Sequence, residues 1–506
     1  MRSVALLTCV FVYTISQVYG LNPIVIKGHK FFDSVTKEQF FIKGVAYQPR
    51  GQNSKIDDPL ADPLLCTRDA QLMAKLGLNV VRVYEVKNVK NHDTCMKALS
   101  DAGMYLLLDI ATPKFSVNRE EPEYDVSLYN AYKATVDTFS QYDNVLGFIA
   151  GNEVTNDRTN TQASAYVKAA LRDIKSYIKA TKKRYIPVGY ASNDDEHIRL
   201  PIRDYFNCGD EGSQADFFGV NLYEWCGESS FAKSGFKDRT NEFANFSKPV
   251  FMSEYGCNLV TPRPFSEVQA IYGPEMTDVW SGGVAYEWTQ ENNNYGLIKA
   301  AYGNNSVELL PDYTNLQKQL AKVDPKGVNM DSFDVQRSAS PCPSTNNIWK
   351  AASQLPPTPS DGACTCMHEN LSCLAADLVS NRGASEQIDV MCGMVSCSEI
   401  SGDAEKGKYG AFSFCSPREK LSWLYHSYAQ AKGQCDFEGN AVEVAPRRKD
   451  LHSCAMIEPN KNDAGVFHET RRPSTERRKK AAATASIVTL SPLLLFLTAF
   501  IMTFSI

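Results

Sequence analysis

The chain has 506 residues, long enough for one large domain with a smaller one beside it. Its 43% hydrophobic and 11% aromatic content fits a well-packed globular protein. A formal net charge of −5 removes the electrostatic case for a nucleic-acid partner.

At the N-terminus, Arg2, an apolar run Val4–Val12 and the small or neutral residues Val18 and Gly20 predict a secretory leader over 1–20. That run is too short to span a bilayer. From there to about residue 310, strand-like apolar runs alternate with amphipathic stretches. Strands are predicted at Phe40–Tyr47, Asn79–Val86, Tyr105–Ile110, Val145–Glu153, Ile186–Ser192, Ala215–Tyr223, Pro249–Tyr255 and Gly282–Trp288. Helical patterns lie between them, among them Pro63–Leu76, His92–Ala102, Val126–Gln141, Ala163–Ala180 and Ser266–Trp280. Continuous Val/Ile/Leu-rich strands separated by helices imply a parallel sheet covered on both faces. Eight such units predict an α/β fold, a (β/α)8 TIM barrel over 21–337, with a doubly wound sheet as the alternative.

Residues 338–363 are rich in Pro, Ser and Ala and read as a linker, with Cys342 closing back on the barrel. The next segment, 364–456, holds eight of the fifteen cysteines: Cys364, Cys366, Cys373, Cys392, Cys397, Cys415, Cys435 and Cys454. Losing Cys9 with the leader leaves fourteen, an even number that suits disulfides in an oxidising compartment. Zinc is the rival reading of the crowded cysteines, but paired CxxC spacing is absent. This segment therefore reads as a small disulfide-stapled domain. A polar spacer (457–480) and an apolar tail (481–506) follow, with no charge after Ile487–Ile506. That pattern predicts a GPI-anchor signal, with Asn462, Gly465 and Ser474 as candidate attachment sites and a transmembrane tail anchor as the alternative. Sequons occur at Asn245, Asn304 and Asn370.

Two apolar segments each end on a carboxylate: FIAGNEV (148–154) presents Glu153 and PVFMSEYG (249–256) presents Glu254. Burying an ionised group costs several kcal/mol unless it is paired. Catalytic side chains of a barrel come from the C-terminal ends of its strands, and these two glutamates end the fourth and seventh. Glycoside chemistry needs such a pair, one acid for the leaving oxygen and one carboxylate for the anomeric carbon. Asn152, beside Glu153, is placed to hydrogen-bond the adjacent sugar hydroxyl. Other polar strand ends are Gln48, Tyr84, Glu85, Asp109, Tyr223, Glu224, Tyr286, Glu287 and Trp288. Tyr84, Tyr223, Trp225, Tyr286 and Trp288 offer aromatic faces for sugar rings, with barrel packing as the other reading of the two tryptophans. Beyond the fifth strand, ASNDDEHIR (191–199) offers Asp194, Asp195, His197 and Arg199 for a bound sugar, or makes a solvated loop.

FIKGVAYQ (41–48), RVYEV (82–86), GFIAGNEV (147–154), NLYEWCG (221–227), PVFMSEYGCN (249–258) and GGVAYEW (282–288) resemble the fungal cell-wall β-1,3-glucanosyltransferases of the Gas/Gel type, glycoside hydrolase family 72. The resemblance runs from about 22 to 345, and the Cys-rich segment resembles the family's glucan-binding X8 (CBM43) domain. It implies Glu153 as acid/base and Glu254 as nucleophile, and donor-sugar contacts at Gln48, Tyr84, Asp109, Asn152 and Tyr286. It further implies Tyr223, Asp194 and Arg199 on the acceptor side or near the reacting ring. Bridges Cys66–Cys95, Cys208–Cys342, Cys226–Cys257 and Cys392–Cys397 follow from it too. The loop ATPKFSVNR (111–119) is less like the family.

The expected activity is a retaining transfer that elongates β-1,3-glucan, with glucan chains as donor and acceptor and no metal or organic cofactor. The expected setting is the outer face of the plasma membrane, held by a GPI anchor, as a monomer. A β-1,3-glucan hydrolase is the rival enzyme reading, and a catalytically dead glucan-binding surface protein the rival from another class.

Overall fold

The structure is a computed structural model that describes residues 20–50, 56–301, 303–448 and 450–457. The predicted leader (apart from Gly20), nearly all of the spacer and the anchor tail lie outside those residues.

Eight parallel strands close into a barrel: β1 (Ile42–Ala46), β2 (Val80–Val83), β3 (Tyr105–Asp109), β4 (Val145–Asn152), β5 (Val188–Asn193), β6 (Phe218–Asn221), β7 (Val250–Tyr255) and β8 (Trp280–Ala285). Each neighbours the next in chain order, and β8 pairs β1 to complete the ring. Helices α1 (Pro63–Lys75), α2 (Asp93–Asp101), α3 (Val126–Phe139), α4 (Ala163–Thr181), α5 (Arg199–Phe206), α6 (Phe236–Phe243), α7 (Glu267–Ile271) and α8 (Pro311–Leu320) lie between strands or close the last unit. Their starts follow local chemistry. Asp62 caps α1 by accepting from the Leu65 N–H, with Pro63 in the first turn, and Asp125 does the same for α3 at Leu128.

All eight predicted strands are present, within a few residues at their ends. One helix differs: the pattern over Ser266–Trp280 becomes only the short α7. Pro274, preceded by Gly273, cannot continue a helix, and Trp280 already opens β8.

Apolar side chains between strands and helices form the main core, and a second cluster fills the barrel interior. A three-stranded antiparallel sheet (Ile24–Lys27, Lys30–Asp33, Gln39–Phe40) sends Ile24 and Phe31 into that interior, where Phe31 meets Phe217 and Phe251. Gly189 makes room here, because a Cβ at this position would stand 2.3 Å from the Phe217 ring. With the lower interior filled by apolar rings, the polar residues of the strand ends collect at the other mouth.

The predicted linker does not hang free. Trp349 and Ala351 are fully buried in the main core, and Tyr205 Oη donates to the Ala352 carbonyl. Arg172 of α4 binds the Pro356 carbonyl, and Thr358 donates to Asp173. Beyond it, α9 (Asp361–Asn370), α10 (Asn381–Cys392), α11 (Pro417–Lys432) and α12 (Leu451–Cys454) surround their own core. Bridges Cys364–Cys415, Cys366–Cys454, Cys373–Cys435 and Cys392–Cys397 staple this domain. Cys66–Cys95, Cys208–Cys342 and Cys226–Cys257 cross-link the barrel and its strap. The small domain meets the loop that enters α3: Lys420 pairs with Glu123 at 3.1 Å and the Val126 N–H donates to the Phe414 carbonyl. Asn245 and Asn304 are exposed, whereas Asn370 is buried with its amide donating to the Cys366 carbonyl.

Candidate active site

A buried cation organises the barrel mouth around the two glutamates. Arg82, on the otherwise apolar β2, is fully inaccessible. Its Nε and Nη2 hold both oxygens of Asp109 at 3.1 and 3.0 Å, and Nη2 also reaches Asn152 Oδ1 at 3.0 Å. The other branch, Nη1, donates to the Ser253 carbonyl and to Glu254 Oε1 at 3.3 Å. Burial works against the charge, but Asp109 and Glu254 offset it and hold the guanidinium protonated.

Glu254, near the end of β7, is 9% exposed and meets only donors. Tyr84 Oη and Arg82 reach Oε1, the former at 3.0 Å, and Tyr223 Oη reaches Oε2 at 2.8 Å. Burial pushes both phenols far above their ordinary range and Glu254 adds to it, so they stay protonated and donate. Burial also raises the Glu254 carboxyl, against the pull of Arg82, Tyr223 and Tyr84. An oxygen pair fed by three donors suits a carboxylate that accepts on both sides.

Glu153 follows β4 directly and is partly exposed. Its Oε1 accepts one neutral donor, the Asn221 amide at 2.8 Å. Asn221 is also the residue in register with Glu254 across β6 and β7. Its amide donates to Asn152 Oδ1 at 3.1 Å, and its own Oδ1 accepts from Ser253 Oγ at 2.7 Å. One asparagine thus ties the two glutamates into a single network. The glycine at 219 lets this happen, because a Cβ there would collide with Ser253 at 2.6 Å.

Tyr223, Tyr286 and Tyr295 stand edge to face with ring centres 5.2–6.4 Å apart, and Tyr223 and Tyr286 are part-exposed. They form an aromatic wall beside the carboxylates.

The structure therefore brings Glu153, Glu254, Asn152, Tyr84, Tyr223 and Tyr286 together. Two other implied sugar contacts, Asp109 and Gln48, are buried and hydrogen-bonded within the protein. Asp109 is 1% exposed and spends both oxygens on Arg82, so it supports that cation from beneath. Gln48 is buried and accepts from the Tyr84 and Glu85 N–H groups at 2.9 Å, which fixes the backbone that carries Tyr84. Asp194 and Arg199 pair with each other at 3.1 Å, in an ion cluster with Arg239 and Glu242. Trp288 is fully buried and Trp225 nearly so, both as packing residues. Glu85 pairs with Lys87, and Glu287 accepts from Asn293 while burial pushes it up to about 7.

Sequence reasoning passed over Arg82, Asn221, Ser253 and Tyr295. A visible signal marked the first, since a charged residue stands within the apolar run NVVRV (79–83). Among the described residues the one cluster with metal-ligand spacing is Cys364, Cys415 and Glu419, and its two cysteines are bonded to each other.

The chain matches known proteins over most of its length. A glucanosyltransferase family model matches residues 14–324, and an X8 domain model matches 371–442. The chain is 44% identical to pH-responsive protein 1 of Candida albicans over 90% of its own length and 86% of that protein's. It is 43% identical to a 1,3-beta-glucanosyltransferase of Arthroderma benhamiae, covering 92% of this chain and 91% of the relative. Among solved structures, a mutant of Saccharomyces cerevisiae Gas2p in complex with laminaritetraose and laminaripentaose superposes with a TM-score of 0.78. That protein is 43% identical, over 86% of this chain and 98% of that one.

Proposed function

We propose that this chain, which belongs to the glucanosyltransferase family, is a retaining β-1,3-glucanosyltransferase. The observation that carries the reading is the contrast between its two cleft glutamates. Glu254 faces a cation and two phenols, so it is the carboxylate fit to attack a carbon. Glu153 faces one neutral amide and is partly open, which suits a group that gives up and regains a proton.

In the first step a Glu254 oxygen bonds to the anomeric carbon of an internal glucose as the glycosidic C–O bond breaks. Glu153 passes its proton to the departing oxygen and becomes a carboxylate. In the second step Glu153 takes the proton from the non-reducing-end 3-hydroxyl of another glucan. That oxygen bonds to the anomeric carbon and the Glu254 carboxylate leaves. Two inversions give a β-linked, longer chain. Asn152, held by Arg82 and Asn221, presents its side chain to the hydroxyl next to the reacting carbon. The tyrosine wall stacks the sugar rings. Water in place of the second glucan would give hydrolysis instead.

The same reading assigns 21–337 to the catalytic barrel, 338–363 to its strap and 364–456 to a glucan-holding domain. It also takes 1–20 as leader, 457–480 as spacer and 481–506 as GPI signal, placing a monomer on the outer face of the plasma membrane. The two family matches and the fourteen bridged cysteines support the barrel, the small domain and an oxidising compartment.

Glu153→Gln and Glu254→Gln each abolish conversion of laminari-oligosaccharides while leaving thermal unfolding intact. A folded variant with full activity removes that residue from the mechanism. Proton NMR of fresh wild-type product shows new β linkages, and α linkages would overturn retention.

A further inference from the structure

Glu153 leaves β4 with φ +49°, in the left-handed region that residues with side chains seldom occupy. Its N–H donates to the Ala191 carbonyl at 2.9 Å, which continues the barrel ladder. Its carbonyl turns out of that ladder and accepts from Arg119 Nη2 at 2.6 Å. Arg119 arrives from the loop between β3 and α3, 34 residues earlier in the chain.

We propose that Arg119 is a positioning residue for Glu153, fixing the 153–154 peptide so that the acid aims at the leaving oxygen. The inference rests on the reading of Glu153 as acid/base. Only one protein hydrogen bond steers the Glu153 carboxyl among the described residues, and it comes from Asn221. The rest of the aim is set by the backbone, and a residue at positive φ keeps its conformation only when its surroundings over-determine it. Rotation of the 153–154 peptide would swing the carboxyl off the scissile bond, and misplacement by about 1 Å costs roughly a hundredfold in rate. The loop that supplies Arg119 is itself anchored. Asp125 caps α3, the Val126 N–H binds the Phe414 carbonyl, and Glu123 pairs with Lys420 of the small domain.

The test compares two donors with different need for an acid. With laminari-oligosaccharide, Arg119→Ala lowers kcat by about 10- to 100-fold with KM within about threefold. With a dinitrophenyl β-laminarioside, whose leaving group needs no proton, the rate of the pre-steady-state burst of dinitrophenolate, which reports the first step alone, falls by less than about threefold. Arg119→Lys, which keeps one donor, recovers part of the loss and serves should the alanine variant not fold. Equal losses on both donors, or no loss on either, would overturn the proposal. Glu153→Ala is the control for the underlying reading. If it too loses equally on both donors, Glu153 is not the acid, and this failure is distinct from one confined to Arg119.

Discussion

Glu254 lies in a site hostile to a carboxylate, and three donors oppose that. The donors are distributed, since Arg82 and Tyr84 come from β2 or just after it and Tyr223 follows β6. Burial raises the carboxyl and these donors lower it, so the acid limb of kcat/KM lies above the ordinary glutamate range. Tyr223→Phe removes a lowering influence. Activity falls by roughly 10- to 150-fold, a single charge-assisted hydrogen bond being worth roughly 1.5–3 kcal/mol, and the acid limb moves to higher pH. An unmoved limb in the pH–rate profile would contradict this. Arg82→Ala strands Asp109 and Glu254 as buried anions and costs about 3–5 kcal/mol of stability, read by chemical denaturation. The glutamates were legible because a carboxylate ending an apolar strand is costly without a purpose. Asp109 looked like another such residue, and its ion pair with Arg82 depends on the angle between two strands, which sequence does not show.

The elements that hold this site show a similar division. Strands were readable because burial on both faces of a closed sheet demands continuous apolar runs, and eight of them met that demand. The strap was not, since Pro, Ser and Ala describe a linker while only the fold shows that Trp349 has a cavity to fill. Trp349→Ala costs about 3–5 kcal/mol and lowers the melting temperature, whereas a true linker would tolerate it. Helix α7 begins on a buried glutamate, Glu267, which burial pushes up to about 7; Arg263 opposes the shift, while Glu228 adds to it. Its folded pKa is raised, so the folded state holds the proton longer than the unfolded chain. Stability is full below about pH 4.5 and declines as pH rises toward 7, by about 3 kcal/mol from this group. Glu267→Gln makes the slope across that window shallower in thermal unfolding followed against pH. A slope unchanged from wild type would contradict the assignment.

At the scale of the whole molecule, a barrel with a tyrosine-lined mouth carries a small disulfide domain braced against the loop that supports Glu153. Composition announced that domain through its cysteines, but the partners of all eight were open from spacing alone and the family resemblance implied only Cys392–Cys397, because connectivity is a property of the folded chain. Chemistry and fold are common to transfer and hydrolysis, which differ only in what resolves the glucosyl ester proposed on Glu254. The central claim is that a glucan does so ahead of water. Incubating the purified ectodomain with a single reduced laminari-oligosaccharide and following product length tests it most directly. The account predicts products longer than the substrate, together with shorter fragments. Shorter products alone would contradict it.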